Sequence, residues 1–520
     1  MTANPVALTV FLVLFFATAG LGYYATRMKT VNLTDLGQWG LGGRSFGTLI
    51  AWFLLGGDIY TAYTFVAVPA LMFGAGATGF FAVPYTILVY PLLFVAFPKL
   101  WSVAHKKGYV TAADFVKGRF GSKTLALAVA ATGIVATIPY IALQLMGMQI
   151  VFAGMGLNIT VNLPVIGAFH DIPLLVAFVV LAIYTYTSGL HGTAIISVAK
   201  GILVYVAVIA AVIVIPIELG GYDKIFAAIP SPMLLLGHGT ADNLGPSISY
   251  TSLAVGSLLA LFLYPHSITG VFSSSSRSVI KRNAFLLPSY TFALALIAIL
   301  GFMAYAAGVK GMPEYAQGFQ IFGNNFAIPA LFLHAFSPWF AGVAFAAIGI
   351  GALVPAAIMA ISCGNLFTRN IFKEYIAPDC SPATESRVAK IMSLATKIAA
   401  LFFVVALQSS YAIQLQLLGG IWICQTLPSV ILALYTPRQL HPAGLLLGWL
   451  AGMVAGTWMA ASLSLKSSIY PIHLFGYTIP CYAALSALVL NIVVAYVVSF
   501  IANAMSTAPR MDETLAEDYI

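Results

Sequence analysis

The chain alternates long apolar runs with short polar breaks from one end to the other. A helix that crosses a bilayer needs about 20 mostly apolar residues. Thirteen such runs can be marked, at roughly 5–25, 46–73, 78–98, 124–155, 172–190, 193–217, 246–271, 284–308, 338–368, 388–407, 411–435, 443–464 and 477–503. They are solidly apolar, whereas strands of an outer-membrane barrel would alternate apolar and polar positions. The pattern predicts an all-α integral membrane protein with thirteen transmembrane helices. Composition agrees: 61% of the 520 residues are hydrophobic and 7% are charged, against about a quarter charged in a soluble domain. The first run has no basic segment before it and basic residues after it (Arg27, Lys29), so it reads as a retained span and not a cleaved signal.

The net charge of +8 does not point to nucleic acid, because the positive residues follow membrane topology. With the N-terminus outside, the cytoplasmic segments hold Arg27, Lys29, Arg44, Lys99, Lys106, Lys107, Lys117, Arg119, Lys123, Arg277, Lys281, Arg282, Arg369, Lys373, Arg387, Lys390, Arg438 and Arg510. The external segments hold only Lys224, Lys310 and Lys466. That separation is what the positive-inside rule demands of thirteen spans, and it puts the C-terminus inside. Residues 503–520 are polar and acidic and are expected to be a disordered cytoplasmic tail. Residues 1–502 then form a single transmembrane domain. The four cysteines lack metal-ligand spacing, and no phosphate-binding Gly-x-x-x-x-Gly-Lys-Ser/Thr motif is present. No nucleophile–base pair suggests an enzyme, no cofactor is implied, and no protein partner is predicted.

Ionisable groups inside the apolar runs are few. Asp58, Lys200 and His266 are the candidates, while Lys397 sits about two turns into its helix, within snorkelling reach of the interface. An acid inside a membrane helix is costly and marks function by default. Asp58 follows Gly56 and Gly57, so a break is expected there, lining a cavity. A second break is expected at Tyr264-Pro265-His266, where Pro265 removes a backbone donor. Two interrupted helices at matching places in two five-helix halves, about 44–217 and 246–435, point to a transporter site at an inverted repeat.

Four motifs carry a family resemblance: Gly42-Gly-Arg-Ser-Phe-Gly47, Gly56-Gly-Asp-Ile59, Tyr109-Val-Thr-Ala-Ala-Asp-Phe-Val-Lys-Gly-Arg-Phe120 and Asn365-Leu-Phe-Thr-Arg-Asn-Ile-Phe-Lys-Glu-Tyr375. In this order on thirteen spans, the chain resembles the sodium/solute symporter family. The resemblance implies a leucine-transporter-type 5+5 inverted repeat (spans 2–6 and 7–11) with flanking helices. Within the family, Leu54–Tyr63 and Gly351–Met359 are most similar to the bacterial monocarboxylate permeases. That implies import of lactate- or pyruvate-like acids, or alanine, across the bacterial inner membrane. Another small solute such as an amino acid is the alternative cargo, and a membrane sensor that binds without transporting is the alternative class.

The family's sodium site uses carbonyls of the first broken helix, which fall on Gly56 and Ile59, and span 9 hydroxyls, which fall here on Val354 and Pro355. Neither of the latter offers a side-chain oxygen. Some proton-coupled members of the wider fold place a lysine amine where others bind sodium, and Lys200, three residues after Ser197 on one helix face, is placed to do so, with Asp58 as its natural partner. The coupling set is therefore Gly56, Asp58, Ile59 and Lys200, with H⁺ or Na⁺ as the ion. For the carboxylate, the half-helix N-terminus after the first break offers backbone donors. Tyr60, Tyr63, Tyr85, Thr86, Gln144, Tyr264, His266 and Ser267 are the candidate side chains.

Overall fold

The computed structural model describes residues 4–25, 32–157, 161–163, 167–169, 171–237, 243, 245–406, 412–436, 439–505 and 511–520. Arg27, Lys29, Arg438 and Arg510 lie outside them. Among the described residues, nine helices are long and apolar enough to cross a membrane, or ten if the bent pair Gly245–Leu261 and Pro265–Phe272 is one span. This multi-pass count differs from thirteen in part because helices run on where turns were expected. Ile172–Glu218 covers two predicted spans, and Tyr63–Val95 is one helical stretch.

The 47 residues of Ile172–Glu218 would reach about 70 Å at 1.5 Å per residue, roughly twice a hydrocarbon core. Gly189 interrupts the helix at φ 55°, ψ −145°, a conformation open essentially to glycine. A Cβ there would also stand 2.5 Å from the Trp39 carbonyl oxygen. The Trp39 indole donates to Thr185 O at 3.2 Å, which fixes the short helix Leu36–Leu41 against the bend.

The core is built around Pro338–Phe367, where every residue from Ala341 to Leu366 except Val343 is buried. It packs against Pro5–Ala25, Lys123–Gly154, Ile172–Glu218 and Pro382–Ala406. Outside this core, Pro442–Ser462 and Ala483–Met505 form a tight pair. Gly444, Gly448 and Gly452 face the second helix or Gln425 so closely that a Cβ would lie 2.2–2.5 Å from the nearest atom, the small-residue packing common between membrane helices.

Several contacts join segments expected on the same side. Phe46 bridges Ser274 and Asn243 bridges Thr478 through the backbone, and Asp114 meets Arg369. The expected disordered tail is corrected at its described residues, 503–505 and 511–520. Residues 503–505 complete the helix Ala483–Met505. Residues 511–520 lie against the segment 106–121, held by Arg119–Asp512 at 2.6 Å and Lys107–Asp518 at 3.3 Å. Acidic residues that look solvated in sequence find basic partners that only the fold brings near.

Gly189→Ala is expected to destabilise the protein by about 1–3 kcal/mol. A lowered thermal unfolding midpoint in detergent checks this; an unchanged midpoint would contradict the constraint at the bend.

Candidate substrate and ion site

The first broken helix does not part at its glycine pair. Thr48–Ile59 is continuous through Gly56, Gly57 and Asp58. The chain leaves helical geometry at Tyr60 (φ −81°, ψ 90°), then resumes through the π-turn Tyr63–Ala67 into Val68–Ala75. The glycines serve close approach instead. A Cβ on Gly56 would lie 2.0 Å from the Tyr290 ring, and one on Gly57 would be in ordinary contact with Ser197 and Lys200.

Lys200 fills the gap this creates. It is fully buried, so it does not snorkel, and Lys397 is buried as well. Lys200 Nζ donates to Gly57 O at 2.5 Å and to Tyr60 O. These carbonyls are one residue beyond each expected position. Gly56 O accepts from Tyr60 N at 3.0 Å, and Ile59 O accepts from Thr64 Oγ1 at 2.6 Å. Burying a charge is tolerable only where it is bonded, and freed helix carbonyls are suited to it because they carry the negative end of the peptide dipole.

Asp58 makes its side-chain contacts at the second break. Its Oδ2 accepts from Ser267 Oγ at 3.1 Å and lies 3.6 Å from His266 Nε2. Its Oδ1 has no hydrogen-bond partner among the described residues. Pro265 occupies the first turn of Pro265–Phe272, where a missing amide costs nothing. The 47° bend before it brings His266 and Ser267 to Asp58. Tyr140 and Tyr264 wall this corner, with ring centroids 5.5 and 5.2 Å from His266.

The half-helix donors expected to meet a carboxylate are already engaged. Ala62 N donates to Gln144 Oε1 at 2.9 Å, and Tyr63 N to Thr61 Oγ1 at 3.0 Å. Gln144 thus stands where an anion was expected. Tyr60 directs its hydroxyl to Tyr290 O at 2.6 Å, and Tyr264 to Gln416 O at 3.2 Å. Tyr63 and Tyr85 have neighbouring hydroxyls. Thr86 bonds within its own helix, to Ala82 O and Val83 O at 3.0 Å. Val354 and Pro355 are buried, and Pro355 leaves Gly351 O without its helical amide.

The structure therefore joins Asp58, His266 and Ser267 in one cluster, Lys200 with the break in a second, and Gln144 at the restart of the helix. It does not bring Thr86 to any of these. Sequence reasoning missed the Gly57 and Tyr60 carbonyls, Thr61, Thr64, Tyr140 and Tyr290. Of these, Tyr140 carried a signal, because it lies four residues before Gln144 on one helix face.

A family model described as the sodium:solute symporter family matches residues 39–455. The chain belongs to the sodium:solute symporter family. Among relatives, a protein named monocarboxylate transport permease from Rhizobium johnstonii is 48% identical over 95% of this chain and 97% of its own. A sodium/proline symporter from Staphylococcus aureus is 23% identical over 94% and 91%. A solved Na⁺-coupled sialic acid symporter, described as substrate-bound and outward-open, superposes with a TM-score of 0.75 at 16% identity, over 98% of this chain and 99% of its own. The fold is thus that of a symporter, and membership of the family makes the chain a transporter and not an enzyme.

Gln144→Leu leaves the Ala62 amide buried and unpaired, at an expected cost of about 1–3 kcal/mol. Gln144→Glu keeps an acceptor there and should recover much of it. Unfolding midpoints of the two variants in detergent check the pairing, and equal losses would contradict it.

Proposed function

We propose that this symporter imports small monocarboxylates of the lactate and pyruvate kind together with a cation, and that the cation is a proton. The observation that carries the coupling is the Lys200 ammonium on Gly57 O and Tyr60 O. An ammonium there and a metal ion at the same carbonyls would repel each other at contact distance, and Val354 and Pro355 add no hydroxyl. Lys200 as proton carrier holds the break in one geometry when charged. On giving up its proton it no longer opposes the carbonyl dipoles, and the break can change shape.

The cargo reading rests on the relative named as a monocarboxylate permease and on the donors at the site. Gln144 Oε1 holds the Ala62 amide that a carboxylate would use, so substrate entry is an exchange of one oxygen for another at a positively poised helix start. Asp58 repels an anion nearby unless a cation or proton offsets it, which ties substrate binding to the coupling ion. An amino-acid cargo is the alternative, in line with the proline symporter relative.

Sodium coupling is the second reading. Family membership and the Na⁺-coupled neighbour support it, as does Asp58 Oδ1, a hard oxygen without a hydrogen-bond partner among the described residues and beside the Ser267 hydroxyl. For topology we retain thirteen spans in one domain of the inner membrane, as a 5+5 inverted repeat with the N-terminus outside.

Uptake of labelled pyruvate and lactate into proteoliposomes, with Na⁺ and pH gradients imposed separately, tests both parts. Accumulation is expected to follow the pH gradient without sodium. Uptake that follows sodium and ignores pH would sink the proton reading, and failure of every small monocarboxylate would sink the cargo. Lys200→Gln is expected to lower gradient-driven accumulation at least about tenfold, the scale of losing a bond made by a charged group, while leaving exchange of pyruvate for pyruvate measurable. An unaltered pH response in that variant would remove Lys200 from the mechanism.

A further inference from the structure

The segment between the third and fourth predicted spans is a pair of short helices, Phe97–Lys107 and Ala112–Phe120. The pair touches both broken helices. Arg44, just before Thr48–Ile59, donates to Tyr109 O at 2.5 Å. The Trp101 indole donates to Ser274 O at 2.9 Å, just past the end of Pro265–Phe272. The pair is also tied to the far end of the central helix, through Asn370 Nδ2 to Asp114 Oδ1 at 2.8 Å and Lys117 to Glu374 at 2.6 Å. Any movement that parts the broken helices at this end must move the pair.

Residues 511–520 are laid across it. Arg119 bonds Asp512 at 2.6 Å and Thr514 Oγ1 at 2.7 Å, and its guanidinium lies 5.2 Å from the Tyr519 ring centroid. Glu513 N donates to Gly118 O at 2.8 Å. Lys106 donates to Glu517 O, and Lys107 pairs with Asp518. The last turn, Ala516–Tyr519, is capped by Asp518, which accepts from Leu515 N at 2.8 Å. That amide, with Lys107, holds the Asp518 carboxyl below the usual carboxylate range, so the contact persists at neutral pH. Five-sixths of this hold involves a charged group, and the Asp512 and Lys107 side chains remain about a third exposed, within reach of screening by salt.

We propose that residues 511–520 are an autoinhibitory strap: they bind the helix pair to the tail of the last membrane helix, slow the opening of this side of the transporter, and let go as ionic strength rises. The strap touches neither Lys200 nor the Asp58 cluster, so it acts on rate and leaves substrate affinity alone.

The test uses the full chain with Cys380 and Cys481 changed to serine. A spin label on Ala516→Cys reports the strap directly, and this arm is independent of the monocarboxylate reading, on which the uptake arm rests. The label is expected to be immobile at low salt and mobile at high salt, and mobile at both in the Asp512→Asn, Asp518→Asn double variant. Initial pyruvate uptake is expected to rise about threefold with salt, the scale of a few exposed ion pairs. In the double variant it should start at the faster rate and be flat in salt, with unchanged KM. Joining Arg119→Cys to Asp512→Cys with a short cleavable thiol linker should hold uptake at the slow rate until the linker is cut. A label that stays immobile in the double variant, or that becomes mobile while uptake and its salt response match the parent, would overturn the strap. If the label is released as described but no small monocarboxylate is carried by any form, the cargo reading fails and the strap's release stands.

Discussion

A lysine taken out of water must find oxygen atoms within the protein, and Lys200 finds them only because the helix opposite gives up two. A continuous Thr48–Val68 helix would have spent the Gly57 and Tyr60 carbonyls on its own amides. The departure at Tyr60 frees them, and the ammonium that accepts this vacancy keeps the helix from closing over it. Neither half is stable alone: a bare gap leaves unsatisfied carbonyls at membrane depth, and a bare amine leaves an unpaired charge. The π-turn after Ala62, the Gln144 Oε1 that accepts from Ala62 N and the Thr64 hydroxyl on Ile59 O are the smaller adjustments that follow.

The class of fold was legible in the sequence because the bilayer leaves few choices. Apolar run length reports helices, and glycine and proline report weak points in them. The exact count was less legible, since periodicity cannot tell a turn from a sharp bend. Gly189 shows this: a single residue in a glycine-only conformation lets one stretch cover two predicted spans. The tail was misread for a related reason. Asp512 and Asp518 have only amide and hydroxyl partners nearby in sequence, and their charged partners, Arg119 and Lys107, lie far along the chain from them.

The site was legible as a set of residues and not as a wiring diagram. Asp58, Lys200, His266, Ser267 and Gln144 could be picked out because polar groups in apolar runs are conspicuous. Their partners could not, because backbone carbonyls carry no side-chain signature. Asp58 and Lys200, expected as partners, each hold a different element: Lys200 the backbone of the first broken helix, Asp58 the second. The glycine pair looked like the weak point but serves as clearance for Tyr290 and Lys200.

The backbone bridge at Phe46 has a mechanical meaning. Phe46 N donates to Ser273 O at 3.1 Å and Phe46 O accepts from Ser275 N at 2.9 Å, so the two broken helices are stitched together at one end as well as meeting at Asp58. Held at two points, they behave as one lever. Slippage, in which one ligand crosses without the other, would require the lever to twist about its own length and shear those amide bonds. Resistance to such a twist is a property of main-chain geometry and does not depend on most of the side chains around it.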